Sequence, residues 1–299
     1  MLTVHKSIAL FSAIILLLWV PAVMAESCVS PESALESNPL PTDLSGGVPA
    51  DPNGYIGEWE YSDPTIHVKI ESGRVSGCDY WVADIKIGHA SQLRTAPADS
   101  FSSNMVMPGT AIARRVNAIL AIDGDYFCYT RKGFILRQGV VYCDKLEGRR
   151  DLLLIDEDGD FHFIHNAAEG EGVTEIDGKK IINAFFFGPI LVQDGKLNKD
   201  YDFDEMTSFE PCQRMCIGQV DPLHYKVVCC AAPFRGSSGM KTRAFARLVL
   251  DLGIENAYNL DGGDSTMLIF KGEKINDVDN PKTRDLADII YFASSANFQ

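Results

Sequence analysis

Two acidic, glycine-containing segments hold the residues whose types could do chemistry. Asp123-Gly124-Asp125-Tyr126-Phe127 follows the compact apolar run 118–122, and Asp261-Gly262-Gly263-Asp264-Ser265 lies between two apolar runs. Carboxylates at strand ends lie at the rim of a sheet, where glycines let a ligand approach the backbone. The same residues suit tight turns. Spacing alone therefore leaves a ligand site and a pair of turns as alternatives.

The acidic segments also raise the question of whether they bind a divalent cation or a phosphate. An Asp-x-Asp pair can bind a divalent cation such as calcium, and a metal site here would draw on Asp123 and Asp264, with Asp125 and Asp261 beside them. The ligand run of an EF-hand is missing. A phosphate-cradling loop that opens a helix is excluded, because the glycine segment runs into a predicted strand.

Two arginines are candidates for binding an anion. Arg214 stands among apolar neighbours on a predicted strand, and Arg284 and Asp288 precede the apolar run Ile289-Ile290-Tyr291. A guanidinium in such surroundings is costly unless it is paired or bound to an anion. Structural ion pairs with nearby aspartates and an anion site are both consistent with the pattern.

The overall composition bounds the class of protein. The chain has 299 residues, 46% of them hydrophobic, with 27 Lys and Arg against 41 Asp and Glu, for a net charge of −14. These values are ordinary for a folded globular protein. The acidic balance argues against nucleic acid or an anionic membrane as the main partner.

The N-terminal residues predict export. Met1 to Ala25 resembles a signal peptide, with Lys6, an apolar stretch and small residues before a cleavage point at Glu26. We therefore expect a secreted or extracytoplasmic protein with no stable membrane span after cleavage.

Eight cysteines follow the cleavage point, and an even count in an exported chain suggests disulfides. Cys128 and Cys143 flank a hairpin-like segment, which predicts one pair. Counting outward from a four-residue turn at 221–224 places Cys216 opposite Cys229, which predicts a second.

The remaining pattern predicts the fold class. Many short alternating segments indicate strands, and 110–116 and 241–252 indicate helices. We expect an α+β fold, with a single mixed domain over 58–295. Residues 26–57, rich in Pro, Ser and Gly, predict a flexible linker.

Five segments together resemble the phosphodiester glycosidase family, which includes N-acetylglucosamine-1-phosphodiester α-N-acetylglucosaminidase and many exported bacterial proteins. Residues 121–127 resemble its Ala-Ile-Asn-Gly-Asp-Tyr-Phe motif, 187–195 its Phe-Gly-Pro segment, 213–218 its Arg-Thr-Ala-Ile-Gly motif, and 257–265 its Asn-Leu-Asp-Gly-Gly-Gly-Ser signature. Arg284 to Tyr291 fits the closing Arg…Ser-Asp-Ile-Ile-Tyr. The order and spacing match from about Tyr61 to Ala293.

The sequence departs from the family pattern at four places. Asp123 replaces the motif Asn, Met215-Cys216 replaces Thr-Ala, Asp264 replaces the third glycine, and Cys230-Ala231-Ala232 stands where relatives carry Asp-Gly-Arg. The missing Asp-Gly-Arg equivalent favours the alternative that the chain is a non-catalytic, secreted glycan- or phosphosugar-binding protein on the same scaffold, whereas the retained Asp261, Arg214 and Arg284 favour an enzyme.

The resemblance implies a hydrolase that removes a sugar from a sugar-1-phosphodiester, in exopolysaccharide or cell-surface glycan processing, without a required cofactor. Asp261 is then the candidate nucleophile or general base, with Asp125 and Asp123 as further catalytic candidates. Phosphate would be bound by guanidinium groups. The candidate substrate-binding residues are Arg214, Arg284, Gly262, Gly263, Ser265 and Gly124.

Overall fold

The computed structural model describes residues 46–130, 132–146, 150–167, 172–199 and 210–296. The predicted signal peptide, Met1 to Ala25, and residues 26–45 of the predicted linker lie outside the described residues.

Most of the elements in the described residues are short strands. In chain order, the elements are β1 (Tyr55–Ile56), β2 (Glu60–Ser62), β3 (Ile66–Val75), β4 (Cys78–Ile87), β5 (Leu93–Pro97), α1 (Gly109–Arg115), β6 (Leu120–Asp123), α2 (Phe127–Thr130), β7 (Gly133–Arg137), β8 (Val140–Lys145), β9 (Arg150–Asp156), β10 (Phe161–Ala167), β11 (Glu175–Ile176), β12 (Lys179–Phe186), β13 (Ile190–Gln193), β14 (Lys196–Leu197), β15 (Arg214–Asp221), β16 (His224–Cys230), α3 (Thr242–Asp251), β17 (Asn256–Asn259), β18 (Leu268–Phe270), β19 (Glu273–Lys274) and β20 (Asp288–Phe292).

The strands form three antiparallel sheets. The largest has the order β1-β2-β3-β4-β16-β15-β17-β13-β14. A second has the order β10-β9-β12-β7-β8, with β11 paired to β12, and a third has the order β19-β18-β6-β20-β5. Central strands β6 and β20 of the third sheet are buried along their whole length, which explains their almost continuous apolar sequence.

One hydrophobic core lies among the three sheets, because alternate side chains of each strand point to opposite faces. Ile122 and Ile290 enter this core with Leu153 and Phe185 of the second sheet and Met215 of the largest sheet. Side chains on the other faces pack into separate clusters. Those of the largest sheet pack under α3 and those of the third sheet under α1.

The predicted helix at 241–252 is confirmed as α3. Phe245, Leu248 and Val249 form its buried stripe, as the helical spacing predicts. Gly253 follows the helix with φ +73°, a left-handed conformation that favours glycine at this position.

The prediction of an α+β fold is wrong. Of the described residues, 47% lie in strands and 12% in helices, and the helices are short. The fold is therefore β-rich. The helical segments seen in the sequence exist, but they cover the outer faces of sheets and do not form a layer of their own.

The predicted register of the hairpin β15–β16 is also wrong, by one residue. Cys216 lies opposite Val228, and Met215 opposite Cys229, because a bulge between Gln219 and Asp221 shifts the pairing. A one-residue shift moves a side chain to the other face. Cys216 accordingly packs under α3, whereas Cys229 enters the central core, so the sheet separates the two thiols.

The described cysteines are all free thiols. Cys128 and Cys143 share one hydrophobic cluster beside Phe101 and Tyr142, but no disulfide joins the described cysteines. The predicted disulfides therefore have no support.

Part of the predicted linker contacts the domain. Gly47 N donates to Val116 O at 2.8 Å, and Val48 forms an isolated bridge with Ser294. Tyr55 and Ile56 form β1 at the edge of the largest sheet. No helix of the described residues is long and apolar enough to cross a membrane.

Candidate functional site

The two acidic segments meet at one cleft beside the carboxyl end of β6. The cleft is lined by residues from both segments and from the approach to β20: Asp123, Gly124, Tyr126, Tyr129, Asp261, Ser265, Asp285, Leu286, Ala287 and Asp288. Asp261 N donates to Gly124 O at 3.2 Å, which ties the segments together. The enclosed volume is about 10 Å³, which is room for about one water molecule.

Asp123 presents a buried carboxyl group to the cleft. It ends β6 and is 1% exposed. Its Oδ1 accepts from Met267 N at 2.9 Å, whereas its buried Oδ2 has no hydrogen-bond partner. Burial, and next the nearby charge of Asp261, raise the pKa of Asp123 well above its usual value. The group is therefore a neutral acid over a wide range of pH.

A fully buried guanidinium lies under the cleft. Arg137 Nη2 is 2.9 Å from Asp125 Oδ1 and 3.2 Å from Asp288 Oδ2, and Arg137 also donates to Ala184 O. Its guanidinium carbon lies 4.2 Å from the ring centroid of Phe185. Burial raises the pKa of Asp288 to about 7, although Arg137 acts in the opposite direction.

Asp125 has a structural position. Besides its ion pair with Arg137, its Oδ2 accepts from Phe186 N at 3.0 Å, and the residue is 3% exposed. These contacts join the segment after β6 to the second sheet. Asp125 therefore holds the cleft in place from below and does not line it.

Asp261 and Arg284 face each other at the mouth of the cleft. Arg284 Nη1 lies 3.9 Å from Asp261 Oδ2, with side chains 39% and 14% exposed, and it donates to Ser265 Oγ at 3.3 Å. Burial raises the pKa of Asp261, against hydrogen bonds from Ser265 and Gly262 N and the charge of Arg284. Asp261 thus lies next to both a cation and solvent.

The two glycine amides expected to assist in binding the substrate have other acceptors. Gly262 N donates to Asp261 Oδ1 at 2.9 Å, and Gly263 N donates to Gln213 O at 3.1 Å. These bonds fix the turn that carries Asp261. The two glycines shape the site through the backbone, and the Gly262 amide is already bonded to the Asp261 carboxylate at the cleft mouth.

Arg214 is not brought to the cleft. It lies opposite Cys230 across the hairpin, and directly paired residues share a face of the sheet. Cys230 packs in the cluster under α3, and Arg214 Nε donates to Met240 O at 3.1 Å. Of the two arginines predicted to bind phosphate, only Arg284 contacts the cleft, through the lining residues Asp261 and Ser265.

The described residues contain no group of three or more His, Cys, Asp or Glu arranged to hold a metal ion. The carbonyl of Asp264 accepts from Arg284 N at 2.8 Å. Asp123 contacts Met267 N, and Asp125 contacts Arg137 and Phe186 N. Asp123 and Asp125 thus each direct carboxyl oxygens to groups of the protein.

A larger cavity of about 350 Å³ lies elsewhere, between His89–Ser91 and the hairpin β9–β10. None of the candidate residues lines it. Lys179 Nζ lies 2.9 Å from Asp158 and 3.4 Å from Asp160, so the acidic hairpin at its edge already holds a cation. Size alone does not make this cavity the candidate site.

The sequence analysis missed three residues of the site or its support. Arg137 is a charge at the end of the buried strand β7, the same signal that drew attention to Arg214. Tyr126 follows the first acidic pair, and Tyr129 is 50% exposed at the cleft. Both tyrosines lie close in sequence to the predicted catalytic carboxylates. That proximity was the sequence signal that could have identified them as residues of the site.

Comparison with known proteins agrees with this geometry. The sequence model of the phosphodiester glycosidase family matches residues 116–293. The catalytic domain of zebrafish N-acetylglucosamine-1-phosphodiester α-N-acetylglucosaminidase, auto-inhibited by its pro-peptide, is similar with a TM-score of 0.62, at 14% identity over 90% of this chain and 94% of that chain. A comparison with curated proteins gives no match.

Two bacterial structures are also similar. A hypothetical protein from Synechocystis has a TM-score of 0.54, at 16% identity over 76% of this chain and 62% of that chain. A putative exported protein from Burkholderia pseudomallei K96243 has a TM-score of 0.48, at 11% identity over 73% and 74% of the two chains.

The three antiparallel sheets and the carboxylate–guanidinium cleft define the chain as a β-rich protein with one acidic cleft. The family match covers more than half of the chain and includes both acidic segments. The chain belongs to the phosphodiester glycosidase family, as the sequence motifs predicted.

Removing the buried guanidinium should strongly destabilise the protein. Arg137→Met leaves Asp125 and Asp288 buried without their cation, and we expect the free energy of unfolding to fall by about 3–5 kcal/mol in urea titrations. Arg235→Met, which breaks the exposed pair with Asp279, is the control and should cost less than about 1 kcal/mol. Equal losses in the two variants would contradict the prediction.

The Asp123 carboxyl should give stability an unusual pH dependence. An unfolded Asp ionises above about pH 3.9, whereas folded Asp123 keeps its proton because its pKa is raised. The folded state then binds more protons than the unfolded state. The contribution of Asp123 to the free energy of unfolding therefore falls as pH rises, by up to about 1.4 kcal/mol per pH unit.

Asp123→Asn should remove this dependence, because an amide does not titrate. The stability of the variant relative to the natural chain should increase between about pH 4.5 and 6.5, measured by urea unfolding at each pH. Asp221→Asn, at an exposed position, is the control and should track the natural chain. Parallel profiles for Asp123→Asn and the natural chain would refute the assignment.

Proposed function

We propose that the chain hydrolyses a glycosyl phosphodiester, releasing the sugar from the phosphate at its anomeric carbon. The family supports a carbohydrate-type substrate. The observation that carries the proposal is the approach of Asp261 and Arg284 to 3.9 Å at one cleft mouth, where the reacting carbon and the phosphate need a carboxylate and a cation.

The leaving group reduces what the protein must supply. Cleavage of the bond between sugar and phosphate expels a phosphate monoester, whose second pKa is about 6. Such a group departs far more readily than a sugar alkoxide, so a strong general acid matters less than in ordinary glycosidases. A site that binds phosphate and stabilises the oxocarbenium-like centre is sufficient.

Asp261 is our candidate nucleophile or general base. Its side chain is part exposed, unlike the buried Asp123 and Asp125. Burial raises the pKa of Asp261, which makes its carboxylate a better base, while hydrogen bonds from Ser265 and Gly262 N and the charge of Arg284 act in the opposite direction. A carboxylate held this way can attack the anomeric carbon or accept a proton from water.

Arg284 is our candidate phosphate ligand. Its guanidinium is part exposed, and a guanidinium binds phosphate in a planar, bidentate manner. Asp123 complements it because a neutral acid adds no second negative charge beside the phosphate. The cleft then contains several aspartates without repelling an anionic ligand.

Asp261→Asn tests the proposal directly. We expect hydrolysis of a sugar-1-phosphodiester to fall at least about 1,000-fold in kcat, with the folded state checked by circular dichroism. The surface change Asp279→Asn is the matched control and should leave kcat within about twofold. Full activity in Asp261→Asn would refute its assigned role.

Two further outcomes separate the alternatives. Calorimetric binding of a nonhydrolysable phosphonate analogue without any turnover would support the non-catalytic phosphosugar-binding protein. Loss of turnover after exhaustive chelation, restored by calcium, would support a cation at Asp123 and Asp264.

We also propose that the reaction takes place outside the cytoplasm, on exopolysaccharide or cell-surface glycans, because the N-terminal residues resemble a signal peptide. N-terminal sequencing of the protein from its producing cell should then begin at Glu26. Retention of Met1 to Ala25 in the mature chain would count against export by this route.

A further inference from the structure

Two tyrosines at the cleft have no part in the proposed reaction. The rings of Tyr126 and Tyr129 are stacked, with centroids 4.2 Å apart and planes 19° from parallel. Both line the cleft. Tyr129 is 50% exposed, so the stack leaves part of an aromatic ring open to solvent next to Asp261 and Arg284.

The backbone holds Tyr126 in an unfavourable conformation. Its φ is +69°, in the left-handed region that a bulky side chain rarely adopts. Such strain persists only where the surroundings enforce it, and it is concentrated at functional sites. Here the conformation follows Asp125, which Arg137 anchors, and it presents the ring to Arg284 and to Tyr129.

The groups at the mouth form a chain of pairwise contacts. Arg284 lies 3.9 Å from Asp261, the Arg284 guanidinium carbon lies 5.5 Å from the Tyr126 ring centroid, and Tyr129 stacks on Tyr126. This order matches the order of parts in a glycosyl phosphodiester. The sugar carbon belongs at Asp261 and the phosphate at Arg284, so the alcohol on the other side of the phosphate extends toward the tyrosines.

The small size of the cleft favours contacts of this kind. A volume of about 10 Å³ is far below the roughly 300 Å³ or more of usual ligand pockets. A substrate that lies across the mouth gains affinity from the rim. An exposed aromatic face offers apolar contact there at little entropic cost, because a tyrosine side chain has only two χ angles.

We propose that Tyr129, supported by Tyr126, is a binding platform for a ring in the alcohol part of the substrate. The ligand class is a cyclic alcohol esterified to the phosphate, with an apolar CH face that stacks on the tyrosine ring, as in a pyranose. This inference rests on the proposed function and adds a specificity-determining residue to it.

The test compares two nonhydrolysable phosphonate analogues that carry the same sugar. One has a methyl group on the phosphonate, and the other has a cyclohexylmethyl group. We expect the natural chain to bind the ring analogue about 3- to 10-fold more tightly by calorimetry, which is the range expected for an aromatic contact. Tyr129→Ala should reduce this ratio to about 1, and Tyr129→Phe should retain it.

Ile56→Ala is the matched control, because Ile56 is 52% exposed and distant in sequence from both acidic segments. In this variant, the ratio of the affinities for the ring analogue and the methyl analogue should equal that of the natural chain. Equal affinity of the natural chain for the two analogues, or an unchanged ratio in Tyr129→Ala, overturns the platform and leaves the proposed function standing. Failure of the natural chain to bind either analogue overturns both.

Discussion

The ion pairs of Arg137 with Asp125 and Asp288 are the interaction on which the candidate site depends. Three elements meet there: the end of β7, the segment after β6 and the start of β20. Burying these charges away from water is costly, so each must keep its partners. The relative positions of Arg137, Asp125 and Asp288 are therefore tightly restricted. The guanidinium also donates to Ala184 O and lies over Phe185, which joins the sheet of β7 and β12 to the sheet of β6 and β20.

The same arrangement limits the negative charge of the cleft. Asp125 and Asp288 share one cation, and Asp123 is kept neutral by burial. The carboxylates left at the mouth are Asp261, beside Arg284, and the exposed Asp285. A cleft with several aspartates thereby remains compatible with an anionic phosphodiester, although the chain as a whole has a net charge of −14. Local pairing decides what the site can bind, and the total charge does not.

Local sequence predicted much of this, and the failures have two causes. The helix at 241–252 and the two acidic segments have local signals, and the family motifs linked Asp261 with Arg284 without reference to geometry. The fold class depends on strand partners far away in the chain. The hairpin register, and with it the residue that lies opposite each cysteine, depends on a bulge that the alternating pattern does not reveal. A single bulge between Gln219 and Asp221 was enough to place Cys216 and Cys229 on opposite faces. Arg137 was missed because its partners lie in two other elements.

Gly124 shows how small the tolerance of this arrangement is. A Cβ built at this position would collide with the Asp288 carboxyl group, so that carboxyl occupies the volume of the absent side chain. Even a methyl group there would force Asp288 away from Arg137 or shift the β6–α2 segment. The close approach of Asp288 to the segment after β6 is thus possible because residue 124 has no Cβ. The spacing of the cleft therefore depends on a glycine at this position.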